Sequence, residues 1–174
     1  MTPDRRAASA DRALPAARLR VPTHEDAFAR HRVFADPDVM EFHGGEAAEL
    51  PVQGELTARQ RRHDAERGFR LWTMVDETDR VIGFTGAQPW EQDWDPTGEI
   101  ESGRRLGREH WGRGYATAAA RQTLERVRTT GVPDVVAMVD ARNTRSTAVT
   151  QRLGMRLTET STTRVSRREG HATG

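Results

Sequence analysis

Apolar and polar positions change their period several times along this chain, and each change marks an element. Residues 1–16 are rich in Ala, Arg and Asp and show no period, which predicts a flexible lead-in. Arg18-Leu19-Arg20-Val21 alternates and predicts a first strand. Thr23 then stands three residues before Asp26, the spacing of a capping box. Ala27, Phe28, His31 and Phe34 fall on one side of the helix it opens, and Asp36-Pro37 stops that helix. Residues 54–67 predict a polar, arginine-rich helix ended by Gly68. Residues 69–75 and 80–86 are apolar runs on either side of a turn at 76–79, the pattern of a hairpin. Residues 98–106 predict a further strand.

Helical spacing returns at 113–128 through Ala116, Ala119, Ala120, Leu124 and Val127. Val135-Val136-Ala137-Met138-Val139 is nearly continuous in apolar character and predicts a strand buried on both faces. Asn143 starts a short helix closed by Gly154, and residues 155–163 predict a last strand. The order is strand, two helices, three strands, helix, strand, helix, strand. It predicts a mixed α/β domain with helices packed on a central sheet. The expected organisation is one domain over 17–163, with extensions at 1–16 and 164–174.

Composition narrows the chemistry. A net charge of +1 over 174 residues argues against nucleic acid as a partner. No apolar run could span a bilayer, and no apolar stretch follows the basic start, so the expected location is cytoplasmic without membrane contact. The absence of cysteine removes disulfides, thiolate nucleophiles and Cys-based metal sites. All 27 basic residues are arginine. The six histidines form no ligand set, and Asp93-Trp94-Asp95-Pro96-Thr97-Gly98 departs from an EF-hand loop at Thr97, so no metal is expected.

The candidate chemistry sits in Trp111-Gly112-Arg113-Gly114-Tyr115-Ala116-Thr117. Two glycines bracket an arginine, and a helical pattern follows. Such a loop lets backbone N–H groups approach a phosphate at the positive end of a helix. It is neither a Walker A loop, because Arg113 and Gly114 replace Lys and Ser/Thr, nor a dinucleotide fingerprint, because the third glycine is missing. A turn that only starts a helix remains the plain alternative.

Several segments in order resemble the GNAT superfamily of acetyl-CoA-dependent N-acetyltransferases, in its RimJ/RimL-type branch. They are Asp36-Pro37-Asp38-Val39-Met40, Val81-Ile82-Gly83-Phe84-Thr85-Gly86, and the run Arg108-Glu109-His110 leading into the glycine loop. Ala141-Arg142-Asn143-Thr144-Arg145-Ser146 and Arg152-Leu153-Gly154-Met155 complete the set. The resemblance implies a GNAT-like fold, a mostly antiparallel twisted sheet with helices on both faces. It implies acetyl-CoA as co-substrate and a primary amine as acceptor, either a protein N-terminus or a small molecule. Gly112, Arg113, Gly114, Tyr115, Ala116 and Thr117 would hold the pyrophosphate. Leu106 and Arg108 would offer backbone groups to the pantetheine and acetyl carbonyl, and Asn143 would contact the coenzyme unless it serves only as an N-cap.

Attack on a thioester needs an unprotonated amine and a proton for the leaving thiolate. The resemblance makes Glu101 the base, with Glu99 as alternative, and Ser146 the acid. Tyr115, the only tyrosine, lies inside the phosphate loop. Ser102 and Arg104 stand where relatives carry apolar strand residues, and the seventh strand is absent or very short, which leaves a sheet edge that a second copy of the chain could cover. The interleaved Trp90-Glu91-Gln92-Asp93-Trp94 could attract a cationic amine. The rival reading is a GNAT-like module that binds acyl-CoA without chemistry.

Overall fold

The computed structural model describes residues 13–43, 48–94 and 96–158. Residues 1–12 of the extension expected at 1–16, residues 159–163 of the expected last strand and the tail at 164–174 lie outside the described residues. Four strands form one antiparallel sheet in chain order: β1 (Arg18–Arg20), β2 (Leu71–Val75), β3 (Val81–Pro89) and β4 (Ile100–Leu106). Three helices precede β2: α1 (Asp26–Phe34), α2 (Pro37–Met40) and α3 (Leu50–Arg67). After β4 come a single 3₁₀ turn (Arg108–His110), α4 (Tyr115–Arg128) and α5 (Thr144–Arg152). No helix among the described residues is long and apolar enough to cross a membrane.

Strand alternation assigns the two faces. Thr85 of β3 lies 3.5 Å, oxygen to oxygen, from Thr123 of α4. Its neighbour Phe84 points the other way and meets Phe34 of α1 edge-on, with centroids 5.9 Å apart. Helices therefore cover both faces, as a mixed layer requires. Trp72, Met74, Ile82, Tyr115, Ala119 and Val127 belong to the larger core cluster, with α4, and Val33, Phe34, Val39, Met40 and Phe84 to the smaller, with α1 and α2.

The capping pattern at Thr23 is realised in part. The helix begins at Asp26, whose carboxylate accepts the Thr23 N–H at 2.8 Å. That carboxylate also accepts two hydrogen bonds from Arg20, at 2.7 and 2.9 Å, and one from the Thr73 hydroxyl at 2.6 Å. Burial alone would raise the Asp26 pKa; these donors outweigh it and hold the carboxyl below its ordinary range. Asp26 thus pins α1 to β1 and β2. Asp26→Ala is expected to destabilise the fold by about 2–4 kcal/mol in urea unfolding. Because the native carboxyl is the stronger acid, its contribution is present above the unfolded pKa of about 3.9 and fades as pH falls. The variant should lose that part of the acid limb.

Three expectations are corrected and one is extended. Phe28 is exposed, because α1 buries Asp26, Ala27, Ala29, Arg30, Val33 and Phe34. Asp36-Pro37 does more than stop α1. The Asp36 side chain accepts the Asp38 N–H at 3.0 Å and caps α2, with Pro37 at its first position. Residues 135–139 make only one bridge, parallel, between Glu101 and Val136, and all five side chains are half-buried or exposed. Burial on both faces needs a layer above and below the strand, and among the described residues this segment is tied to β4 alone. Residues 155–158 form no strand. The other expected elements stand within a few residues, with α3 starting earlier, at Leu50, and ending at Gly68 in the left-handed region.

Candidate active site

The glycine loop joins β4 to α4 as its pattern implied. Gly112 has φ +72° and Gly114 φ +89°, backbone conformations in which a side chain is strained. Gly114 is the N-cap of α4 and has no side chain to satisfy the first turn. Among the described residues, no N–H from Gly112 to Thr117 donates to another protein group, the first in-register bond being Ala118 N–H to Gly114 O at 3.0 Å. A row of undirected donors at the positive end of a fourteen-residue helix is a seat for an anion.

Two contacts brace that loop. The Trp111 indole donates to the Leu106 carbonyl at 2.8 Å. Arg145 of α5 lays its guanidinium 3.9 Å over the Trp111 ring. The loop opens on a cleft of about 970 Å³ that runs from Phe42 and His43 past Leu106 to α4 and α5. Among the described residues its walls carry six arginines (Arg104, Arg105, Arg113, Arg121, Arg145, Arg152) and a single carboxylate, Asp38. Asp38 is itself paired with Arg108 at 2.9 Å. The cleft is electropositive and suits a polyanion.

The sequence-derived candidates separate into two groups across β4. Even positions of β4 face α4 and α5, and odd positions face α1 and α3, following their register with β3. Residues 112–117, Leu106, Asn143 and Ser146 all line the cleft. The Asn143 side chain accepts the Ser146 N–H at 3.1 Å, so the N-cap role is realised. Arg104 donates to both the Ser146 carbonyl and its hydroxyl oxygen, each at 3.0 Å. Arg108 is exposed and points away, paired with Asp36 and Asp38 at 3.1 and 2.9 Å, while its carbonyl accepts the Trp111 N–H.

Glu101 projects from the opposite face, where it is half-buried beside Gln88, its partner on β3. Burial raises its carboxyl above the usual range, and a Gln88 hydrogen bond with the Arg105 charge only partly offsets this. Glu99 lies outside β4 and is exposed. Crowding by neighbouring protein, aided by the Arg105 charge, holds the His43 imidazole below its ordinary range although part of the residue remains exposed. The acidic tryptophan segment is turned to a structural task at one position. Glu91 pairs with Arg59 of α3 at 2.8 Å and lies 4.0 Å from His63, while Trp90 meets Trp94 edge-on at 4.7 Å.

Sequence reasoning missed the parts contributed by Arg104, Arg105, Arg145, His43 and the Trp111 brace. All 27 strongly basic side chains are arginine, so no single arginine stood out. The i, i+4 spacing of Glu101 and Arg105 on a strand was the one signal that put them on a common face.

The acetyltransferase (GNAT) domain model matches residues 17–156. The uncharacterized protein YkkB of Bacillus subtilis (strain 168) is 31% identical over 132 residues, which cover 74% of each chain. A phosphinothricin acetyltransferase of the GNAT superfamily from Sinorhizobium meliloti, solved in complex with acetyl-CoA, superposes with a TM-score of 0.63 at 18% identity, covering 79% of this chain and 74% of its own. A ribosomal-protein-alanine N-acetyltransferase from Brucella melitensis superposes with a TM-score of 0.62 at 17% identity, covering 78% and 82%. At such identities the two structures speak for the fold.

Proposed function

The chain belongs to the GNAT family of acetyltransferase domains, and we propose that it is an acetyl-CoA-dependent N-acetyltransferase of the RimJ/RimL-type branch, acting on a primary amine. Residues 17–163 form its catalytic domain in this reading. The observation that carries it is the row of undonated N–H groups from Gly112 to Thr117, set in a cleft with six arginines and one carboxylate among the described residues. Those amides and Arg113 bind the pyrophosphate. Leu106, at the end of β4, lines the path for the pantetheine arm.

Glu101 takes the proton from the acceptor amine. A carboxyl raised by burial is a stronger base than a solvated one, and its pKa lies closer to working pH. The freed nitrogen attacks the thioester carbonyl carbon, the carbon–sulfur bond breaks, the new amide nitrogen releases its second proton to solvent, and the departing sulfur takes a proton. In this reading the Ser146 hydroxyl gives that proton and regains one from solvent. Its oxygen accepts from Arg104, so its own hydrogen is free to point elsewhere, and the adjacent cation favours the deprotonated oxygen.

One observation favours the non-catalytic reading. The only tyrosine hydroxyl, that of Tyr115, donates to Glu77 at 2.9 Å and is not directed at a thiolate. Calorimetric titration with acetyl-CoA, followed by measurement of CoA release across a panel of amines and peptides, decides between the two. Saturable binding with amine-dependent release is the expected result. Binding with no release on any amine supports the module, and no binding removes both readings.

A further inference from the structure

The α1 face of the sheet holds two guanidiniums, one buried and one at the rim of the cleft, that take no part in the bond changes of the transfer reaction. Arg30 of α1 is only 5% exposed. Its carbon Cζ lies 4.4 Å from the Phe84 ring centre and 5.2 Å from that of Phe34. Its Nε donates to Gln53 at 3.4 Å, and its buried Nη1 has no partner among the described residues. Arg105 of β4 lies 4.8 Å over the same Phe34 ring, lines the cleft, and makes no hydrogen bond or ion pair among the described residues. Two cations thus share one aromatic ring.

Among the described residues the nearby carboxylates are otherwise engaged, save that the Glu101 charge reaches Arg105. Asp26 is held by Arg20, Thr23 and Thr73. Glu91 is held by Arg59. Glu101 is the proposed base, and the His43 imidazole is held below its ordinary range. Cation–π contact contributes about 0.5–2 kcal/mol, whereas withdrawing a cation from water costs several kcal/mol. Such a pair calls for an anion, and a guanidinium fork fits a carboxylate with two parallel hydrogen bonds. Glu101 and Arg105 share a face and stand four residues apart, about 13 Å along the strand. Their side chains close part of that distance.

We propose that the acceptor is a small amine that also carries a carboxylate, received by Arg105 with Arg30 behind it, while its amine reaches Glu101. The inference rests on the acetyl-transfer reading and names its substrate class. Arg105 determines specificity; it takes no part in the bond changes.

The test uses the full chain. CoA release is measured with saturating acetyl-CoA on free α-, β- and γ-amino acids and on the matching amino amides, and binding of the same compounds is followed by calorimetry. At least one acid should be preferred over its amide by tenfold or more in kcat/KM. In R105Q the acid should lose at least tenfold more than the amide, chiefly through KM, and R105K should recover part of the loss. Should R105Q fail to fold, the wild-type comparison of acid with amide still decides. Equal turnover of acids and amides overturns the carboxylate site and leaves acetyl transfer standing. Saturable binding of an acid without acetylation supports the site and overturns acetyl transfer. The absence of both binding and turnover for every acid overturns the inference.

Discussion

Glu101→Gln is expected to lower kcat for amine acetylation by about 10²- to 10⁴-fold, with acetyl-CoA affinity unchanged. Glutamine keeps the shape and the contact with Gln88 but cannot take a proton. The pH profile should change with it. Burial raises the Glu101 pKa, so the wild-type rate should climb through a pH range above the ordinary carboxylate value as the base ionises. That limb should vanish in the variant. Stability should move the opposite way. A carboxyl whose native pKa is raised stabilises the fold below the unfolded pKa and ceases to do so as pH rises through the native one. At neutral pH the ionised, half-buried Glu101 is a burden that glutamine removes, so E101Q should unfold at an equal or higher temperature. Lost activity in a protein at least as stable is the signature of a base; lost activity with lost stability would point to a structural carboxylate. Wild-type kcat in the folded variant overturns the assignment.

Gly114→Val is expected to weaken acetyl-CoA binding by about 10- to 100-fold, the loss of one charge-assisted hydrogen bond or more. The reason is conformational and steric at once. A residue with a Cβ at φ +89° incurs about 1–2 kcal/mol of strain, and β-branching adds to it. The new Cβ would also stand 3.2 Å from Pro15 and 3.3 Å from Leu14, tighter than an ordinary contact. The helix start must shift, and the amides with it. Gly112→Ala offers the matched comparison. Its φ is also positive, +72°, yet nothing lies within 4 Å of its Cβ. It should suffer the backbone strain alone and lose less of both stability and affinity. Calorimetry with acetyl-CoA and thermal unfolding of both variants separate the two effects. Undiminished affinity in folded G114V would remove the glycine loop from the coenzyme site.

The strong periods of this chain predicted its elements well where the local pattern was enough. The hairpin at 76–79, the strand into the loop and the helix after it follow from alternation, turn residues and spacing of alanines. Where neighbours decide, the pattern misled. Residues 135–139 are apolar enough for a central strand, yet among the described residues only β4 flanks them. Phe28 is apolar enough for the core, yet the face of α1 is chosen by Asp26 and Arg30, which find partners inward.

By itself, then, the sequence determined a glycine loop between a strand and a helix, because glycine turns, helix starts and strand alternation are local properties written in consecutive residues; the fold family and Glu101 as candidate base came with the resemblance that ordered motifs carry. Only the tertiary structure decided that Arg104 grips Ser146, that Arg145 braces Trp111, and that Arg30 and Arg105 meet over Phe34. These pairs join residues far apart in the chain. Where every basic residue is an arginine, identity carries no address, and packing alone selects which guanidinium is buried beside which ring.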